Sequence, residues 1–320
     1  MNKHNFDFPK LVISALSAVS IAIIVFIFIF VFYRAMPVYS ASGLNYFIKG
    51  GFDVQINEAF YSPDSDPMLT FGMLGLIYGT IATTFFALLI ATLLGIGSAI
   101  TICEFSSPKL SAILITVVRL FAAVPSVIFG LIGFITVVPL VQKLFITTDM
   151  QIEYLSMFQM TGRNMLSSIV VLTFMIAPTI ISLSVDALKS VPHSLKETGY
   201  AFGMTKFRVI YKIMLPYARP GIIAGIILGA GRGIGEAIAV SMVCGGLGVI
   251  PNVEFGFINF LAPALPLASA IVNKSEAMGS FAVESALFSC GATLLIIGTI
   301  LSISAKKIEK HLRKKEGIDA

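Results

Sequence analysis

Arg232 and Glu236 stand four residues apart in Gly231-Arg-Gly-Ile-Gly-Glu-Ala-Ile-Ala-Val240, within a long apolar run. On a continuous helix that spacing places both side chains on one face. A charged side chain at the centre of a bilayer costs about 2.5–3.5 kcal/mol on insertion scales, so such residues mark polar pathways, bound ions or interior ion pairs. Arg119 is a third ionisable residue in an apolar segment, and Val124-Pro-Ser-Val-Ile-Phe-Gly130 follows it closely. Pro125 removes a backbone donor, frees a carbonyl and kinks the helix. Ser126 is placed to satisfy exposed backbone or to line a path. If Glu236 pairs with Arg232, one positive charge remains, which favours an anion. The planar donor fork of arginine suits a tetrahedral oxyanion. The expected chemistry is therefore passage of an anion, with Arg232, Glu236, Arg119 and Ser126 on its path. The competing reading makes Arg232–Glu236 a structural lock, Arg119 a packing or gating residue and Pro125 a packing kink. Metal chemistry is not expected. Cys103, Cys244 and Cys290 lie in or beside apolar segments without ligand spacing, and His4, His193 and His311 are scattered.

Residues of this kind need a membrane around them. Hydrophobic residues make up 57% of the chain, charged residues 12%, and the mean hydropathy is +0.93. A soluble domain carries roughly twice that charged share. The net charge of +5 does not point to nucleic acid, because the basic residues cluster beside apolar spans. Six segments satisfy the requirement of about 20 apolar residues per crossing: 11–33, 72–103, 112–141, 167–186, 219–244 and 282–305. The fold class expected is an all-α integral membrane protein with six transmembrane helices. The first apolar core is too long for a signal-peptide core. The second and third spans exceed one crossing, so tilt or breaks are expected.

Lysine and arginine set the orientation. With the N-terminus inside, fifteen of them fall in cytoplasmic pieces and five (Arg34, Lys49, Lys143, Arg163 and Lys274) in outer ones. Both termini are then cytoplasmic. Arg119 lies roughly 8 residues or ~12 Å from the cytoplasmic end of its span, and Arg232 roughly 13 residues or ~20 Å. The outer segment 34–71 reads as a polar surface loop with Asp53, Glu58, Asp64 and Asp66. The outer segment 245–281 is apolar, with Pro251, Pro263 and Pro266, and is expected at the membrane interface. The chain divides into an N-terminal helix and outer loop (1–71), a core of five helices (72–305) and a basic cytoplasmic tail (306–320). The Lys306–Lys315 run acts as a positive-inside anchor.

The longest inner loop, 187–218, contains Glu197-Thr-Gly-Tyr-Ala-Phe-Gly203, nine further residues, then Ile213-Met-Leu215-Pro216. Leu195, Ala201 and Phe202 form an apolar edge on a short helix that Gly203 breaks. Phe207, Ile210 and Tyr211 begin a second amphipathic turn, which Pro216 ends. Two short helices around a glycine elbow make a knob suited to a groove on another protein. The pattern resembles the EAA loop of ABC importer permeases: Glu197, Gly203, Ile213, Leu215 and Pro216 fit at every spacing. Thr198 and Gly199 stand in place of two alanines and keep small residues where a partner packs. The resemblance implies a type I importer fold and a coupling helix that docks in a cleft of an ATP-hydrolysing subunit. The chain has no Gly-x-x-x-x-Gly-Lys-Ser/Thr phosphate loop. It is therefore a non-catalytic transport subunit, without a cofactor of its own, that depends on ATP and Mg2+ in a partner ATPase.

Further stretches look like the phosphate-specific permeases of the Pst system. They are Tyr78-Gly79-Thr80 with Thr84, the run Arg119–Gly130, Asp186-Ala-Leu-Lys-Ser-Val-Pro192 and Arg232–Val240. Ala-Ile-Ala-Val after Glu236 is similar to the C-type subunit. Cys244-Gly-Gly246 departs from the family's Gly-Asn. In that family the Arg and Glu of the fifth-span motif are tied to phosphate passage, a role that falls on Arg232 and Glu236. The resemblance, over residues 70–305, implies four kinds of partner. They are a second homologous permease (PstA-type), an ATP-binding subunit dimer (PstB-type), an external phosphate-binding protein (PstS-type) and the bacterial plasma (inner) membrane itself. Another oxyanion as cargo, a secondary transporter or channel, and an assembly or sensory subunit remain the alternatives.

Overall fold

The computed structural model describes residues 8–63 and 65–315. Helix α1 (Phe8–Ser42) is followed by two short helices, α2 (Asn45–Ile48) and α3 (Phe52–Tyr61). Helix α4 (Leu74–Ile100) runs into a π-type turn at Thr101–Phe105. Next come α5 (Pro108–Ala122), α6 (Ser126–Ile132), a π-type turn at Gly133–Val137, α7 (Val138–Phe145) and α8 (Thr148–Glu153). Helix α9 (Met165–Lys189) leads to α10 (His193–Ala201) and α11 (Lys206–Val209). A π-type turn at Ile210–Met214 joins α11 to α12 (Leu215–Ile234). The chain closes with α13 (Ile238–Val243), α14 (Ile258–Leu261), α15 (Leu267–Lys274) and α16 (Phe281–Lys315). Lys3, His4, Asp64, residues 316–320 and the side chains of Lys310, His311, Arg313, Lys314 and Lys315 lie outside that description.

Six helical runs are long and apolar enough to cross a membrane: Lys10–Ser42, Leu74–Phe105, Ser126–Phe145, Met165–Lys189, Lys206–Ile234 and Phe281–Ile308. The all-α, six-span expectation holds, with three shifts of boundary. The first run extends to Ser42, so Arg34 sits inside the helix and pairs with Glu284 of α16 at 2.6 Å, against the ring of Phe288. The expected span 112–141 is two pieces, because α5 stops at Ala122 and Pro125 precedes α6. The fifth run starts at Lys206 instead of 219 and ends at Ile234 instead of 244. Pro216 does not end a helix. Its ring would crowd the Lys212 carbonyl, and the π-type turn at Ile210–Met214 widens the backbone there, so the helix continues.

Helix α9 is the axis of the bundle and the most buried of the six runs. Helices α4 and α12 pack along it. Without a hydrophobic drive between helices in lipid, close approach depends on small residues. Gly95 of α4 and Gly229 of α12 supply it. A Cβ at Gly95 would lie 2.6 Å from Ile180 Cγ2, and one at Gly229 would lie 2.8 Å from Ile176 Cγ2.

Both long loops at the end away from residues 187–218 differ from expectation. Segment 34–71 is not merely a polar surface loop, since Tyr46, Phe52, Ile56, Ala59 and Phe71 are buried against Val283 and Leu287 of α16. Segment 245–281 is not peripheral throughout, since residues 261–270 within it are all buried, whereas the stretches 254–260 and 271–281 are partly or fully exposed. Irregular backbone at such depth survives only when protein satisfies it. The Met165 amide donates to the Ala262 carbonyl at 3.0 Å, the Ala264 amide to the Cys244 carbonyl at 2.7 Å, and the Leu267 amide to Thr80 Oγ1 at 2.9 Å.

Candidate functional site

Arg232 lies in the last turn of α12 and is half-buried. Its Nη1 donates to the Ala122 carbonyl at 3.4 Å and to Thr179 Oγ1 at 3.3 Å. Ala122 is the last residue of α5. The residue three positions on, whose N–H would close a tight turn on that carbonyl, is Pro125, which has none. The proline break therefore leaves an oxygen at a helix C-terminus, the negative end of the helix dipole, and Arg232 occupies it. Ser126 opens α6 immediately after the break. Thr179 sits one residue beyond Pro178 in α9.

Glu236 does not pair with Arg232. Helix α12 ends at Ile234, and Gly235 closes it by donating to the Gly231 carbonyl at 3.3 Å, so the one-face geometry of positions 232 and 236 never forms. Glu236 Oε1 accepts instead from the Ala239 amide at 2.9 Å and caps the start of α13. Arg119 is also differently placed. It lies on an exposed face of α5 and donates through Nη2 to Asp186 Oδ1 at 2.9 Å, with the two side chains 58% and 50% exposed. Of Arg119 and Arg232, it is thus Arg232 that has no carboxylate partner among the described residues. Sequence reasoning did not single out Thr179, and it named Asp186 only as the start of a family-like stretch. Asp186 carried a signal as the one acid at the end of the fourth span. Thr179 carried none, because its partner lies 53 residues away.

The 187–218 segment folds as a knob. Helix α10 ends at Ala201, and Gly203 takes φ +72°, a left-handed conformation that glycine adopts without strain. The Gly203 amide donates to the Tyr200 carbonyl at 2.9 Å and the Met204 amide to the Gly199 carbonyl at 3.1 Å, the double closure of a Schellman turn. Gly199 is buried beneath the next helix, where an added Cβ would lie 2.6 Å from Ile213 Cδ1. That contact accounts for a glycine beside Thr198 where the loop pattern has alanine. Ile213 and Leu215 pack into the core under the knob. Glu197 is exposed and lies 3.1 Å from His193 Nδ1 one turn earlier. Tyr200, Phe202, Phe207 and Tyr211 are exposed around the elbow. The five loop-pattern residues divide accordingly: Glu197 and Gly203 at the surface, Ile213 and Leu215 beneath it, and Pro216 entering α12.

Residues 91–314 match the family described as binding-protein-dependent transport system inner membrane component. The chain is 35% identical over 234 residues to the probable ABC transporter permease protein YqgH of Bacillus subtilis, covering 73% of this chain and 70% of that protein. It is 34% identical over 256 residues to the phosphate transport system permease protein PstC of Pasteurella multocida, covering 78% of each. The PstC protein of Mesorhizobium japonicum is also 34% identical, over 260 residues, 77% of this chain and 76% of that protein. In structure the chain is similar to a chain of the bacterial alginate ABC transporter (TM-score 0.58, 16% identity, 95% and 96% of the two chains). It is similar again to one of the inward-facing MetNI methionine ABC transporter (TM-score 0.54, 18% identity, 74% and 94%). At such identities the structural likeness establishes the type I importer fold and nothing finer. With that fold, six membrane-crossing helices and a family match over most of its length, this chain belongs to the binding-protein-dependent transport system inner membrane components, the permeases of ABC importers.

Proposed function

We propose that the chain is the C-type permease subunit of an ATP-driven importer of inorganic phosphate in the bacterial plasma (inner) membrane, with both termini cytoplasmic. The observation that carries the cargo is the setting of Arg232. Among the described residues this arginine is held by two neutral oxygens, at 3.3 and 3.4 Å, beside the break at Pro125 between α5 and α6. Its remaining donors can receive a tetrahedral oxyanion in bidentate fashion. The similarity to PstC proteins supports phosphate over other oxyanions. Glu236 then shapes the path by starting α13, Ser126 lines the break, and Arg119 with Asp186 borders it.

The exposed aromatic knob supports docking of an ATP-binding subunit, two copies of which hydrolyse ATP with Mg2+ (PstB-type). A second homologous permease (PstA-type) completes the path, and an external phosphate-binding protein (PstS-type) delivers cargo. The test is uptake of labelled phosphate by cells that lack their own importer and express the chain with these partners, with sulfate in excess. Arg232→Ala is expected to abolish sulfate-resistant uptake while the ATPase still co-purifies. Full uptake by that variant overturns the assignment of Arg232. Assembly and ATP hydrolysis with no phosphate uptake by wild type overturns the cargo.

A further inference from the structure

Glu104 and Lys196 form a far better enclosed pair than Arg119 and Asp186. Glu104 Oε1 lies 2.7 Å from Lys196 Nζ, and the side chains are 12% and 21% exposed. Glu104 belongs to the π-type turn that ends the α4 run, and Lys196 to α10 of the knob. The Glu104 backbone carbonyl accepts from Lys206 Nζ, at the start of α11. The neighbouring Phe105 packs against Phe207 with ring centroids 5.9 Å apart, and Lys206 Nζ lies 4.6 Å from the centre of its ring. Two consecutive residues at the end of α4 therefore hold both knob helices, on either side of the Gly203 elbow.

We infer that Glu104, paired with Lys196, is a positioning residue that carries movement of the knob into α4 and so to the α9–α12 pair bearing Thr179 and Arg232. Apolar contact alone is non-directional and lets helices slide. A charge-assisted bond shielded from water fixes direction and distance. The route onward is contiguous, since α4 packs along α9 with Gly95 against Ile180, and α12 packs along α9 in turn. Coupling of this kind needs an element that both sites bias, and α4 touches the knob at one end and the bundle centre along its length. The inference rests on the proposed docking of an ATPase at the knob.

The test uses the assembled complex in proteoliposomes and two readouts. One is labelled inorganic phosphate taken up per ATP hydrolysed. The other, independent of cargo, is the ATP-induced change in distance between spin labels on the exposed residues Leu94 of α4 and Ile300 of α16. Glu104→Gln is expected to keep the ATPase bound and hydrolysing, to lose the distance change, and to lower uptake per ATP about tenfold, equivalent to ~1.4 kcal/mol of coupling. The charge exchange Glu104→Lys with Lys196→Glu is expected to restore both readouts. A normal distance change and normal uptake in Glu104→Gln overturns the inference. Loss of ATPase binding that the exchange does not restore also overturns it, by making the pair a scaffold for docking alone. A wild-type complex that moves with ATP but takes up no phosphate sinks the cargo reading, and the distance readout still decides the role of Glu104.

Discussion

At the scale of single residues, one missing hydrogen explains where Arg232 goes. Pro125 cannot donate to the Ala122 carbonyl, so a guanidinium from a helix 110 residues further along the chain does so instead. Pro125→Ala would restore a competing backbone donor. Uptake is expected to fall about fivefold, the equivalent of one net hydrogen bond near 1 kcal/mol, with assembly unchanged. Glu236 has a different logic from the ion pair its spacing implies. As a cap it needs an acceptor oxygen rather than a charge. Glu236→Ala should lose about 1 kcal/mol of stability, as removal of a helix cap usually does. Glu236→Gln keeps the oxygen and should unfold near the wild-type temperature. Thermal unfolding in detergent compares the two, and equal loss in both variants would contradict the capping role.

At the scale of elements, the knob owes its shape to two glycines with unlike reasons. Gly199 is required by contact, because Ile213 lies where its side chain would be. Gly203 is required by backbone, because φ is +72° and no atom lies within 4 Å of an added Cβ. Gly203→Ala should therefore cost about 1–2 kcal/mol of backbone strain without any clash. Its effect should appear as weaker co-purification of the ATPase, with the spans still folded by circular dichroism. Undiminished co-purification would mean that the elbow angle is not what the partner reads. The π-type turns serve elements in the same manner. One admits Pro216 and lets α11 and α12 run as a single rod from knob to Arg232. Another places Glu104 against the knob.

At the scale of the molecule, the end away from the knob is tied together by a half-buried carboxylate. Asp53 Oδ2, on α3, accepts from the Gly248 amide at 2.7 Å, in the segment that follows α13. Burial raises the Asp53 carboxyl above its ordinary range, and the Gly248 hydrogen bond and the nearby Lys274 offset only part of that. The folded chain thus holds this proton more tightly than the unfolded chain. The associated stability is fully present below the ordinary aspartate range and is lost as pH rises through the raised folded value. Asp53→Asn, which cannot ionise, should remove that fall. Melting temperature against pH for the two proteins checks it, and parallel curves would rule out Asp53 as the titrating group.

Membrane class, the number of spans and the two-helix knob were legible in the chain itself, for a shared reason. Apolar length and the Glu197–Pro216 spacing are local along the sequence, and so are the physical demands they answer. Helix-breaking at Pro125 and the elbow at Gly203 were legible on the same ground. Tertiary structure alone decided the pairings. Arg119 meets Asp186 across 67 residues, Lys196 meets Glu104 across 92, and Arg232 meets Ala122 across 110. The four-residue spacing of Arg232 and Glu236 misled because it presumes a helix that Gly235 ends. Within segment 245–281, the burial of residues 261–270 was not legible because apolar composition does not distinguish lipid from protein interior, and their hydrogen bonds to Met165, Cys244 and Thr80 tie them to the bundle. Periodicity reports which residues share a face. Which face meets which is set by helix packing, and in this chain Gly95 of α4 and Gly229 of α12 admit Ile180 and Ile176 of α9.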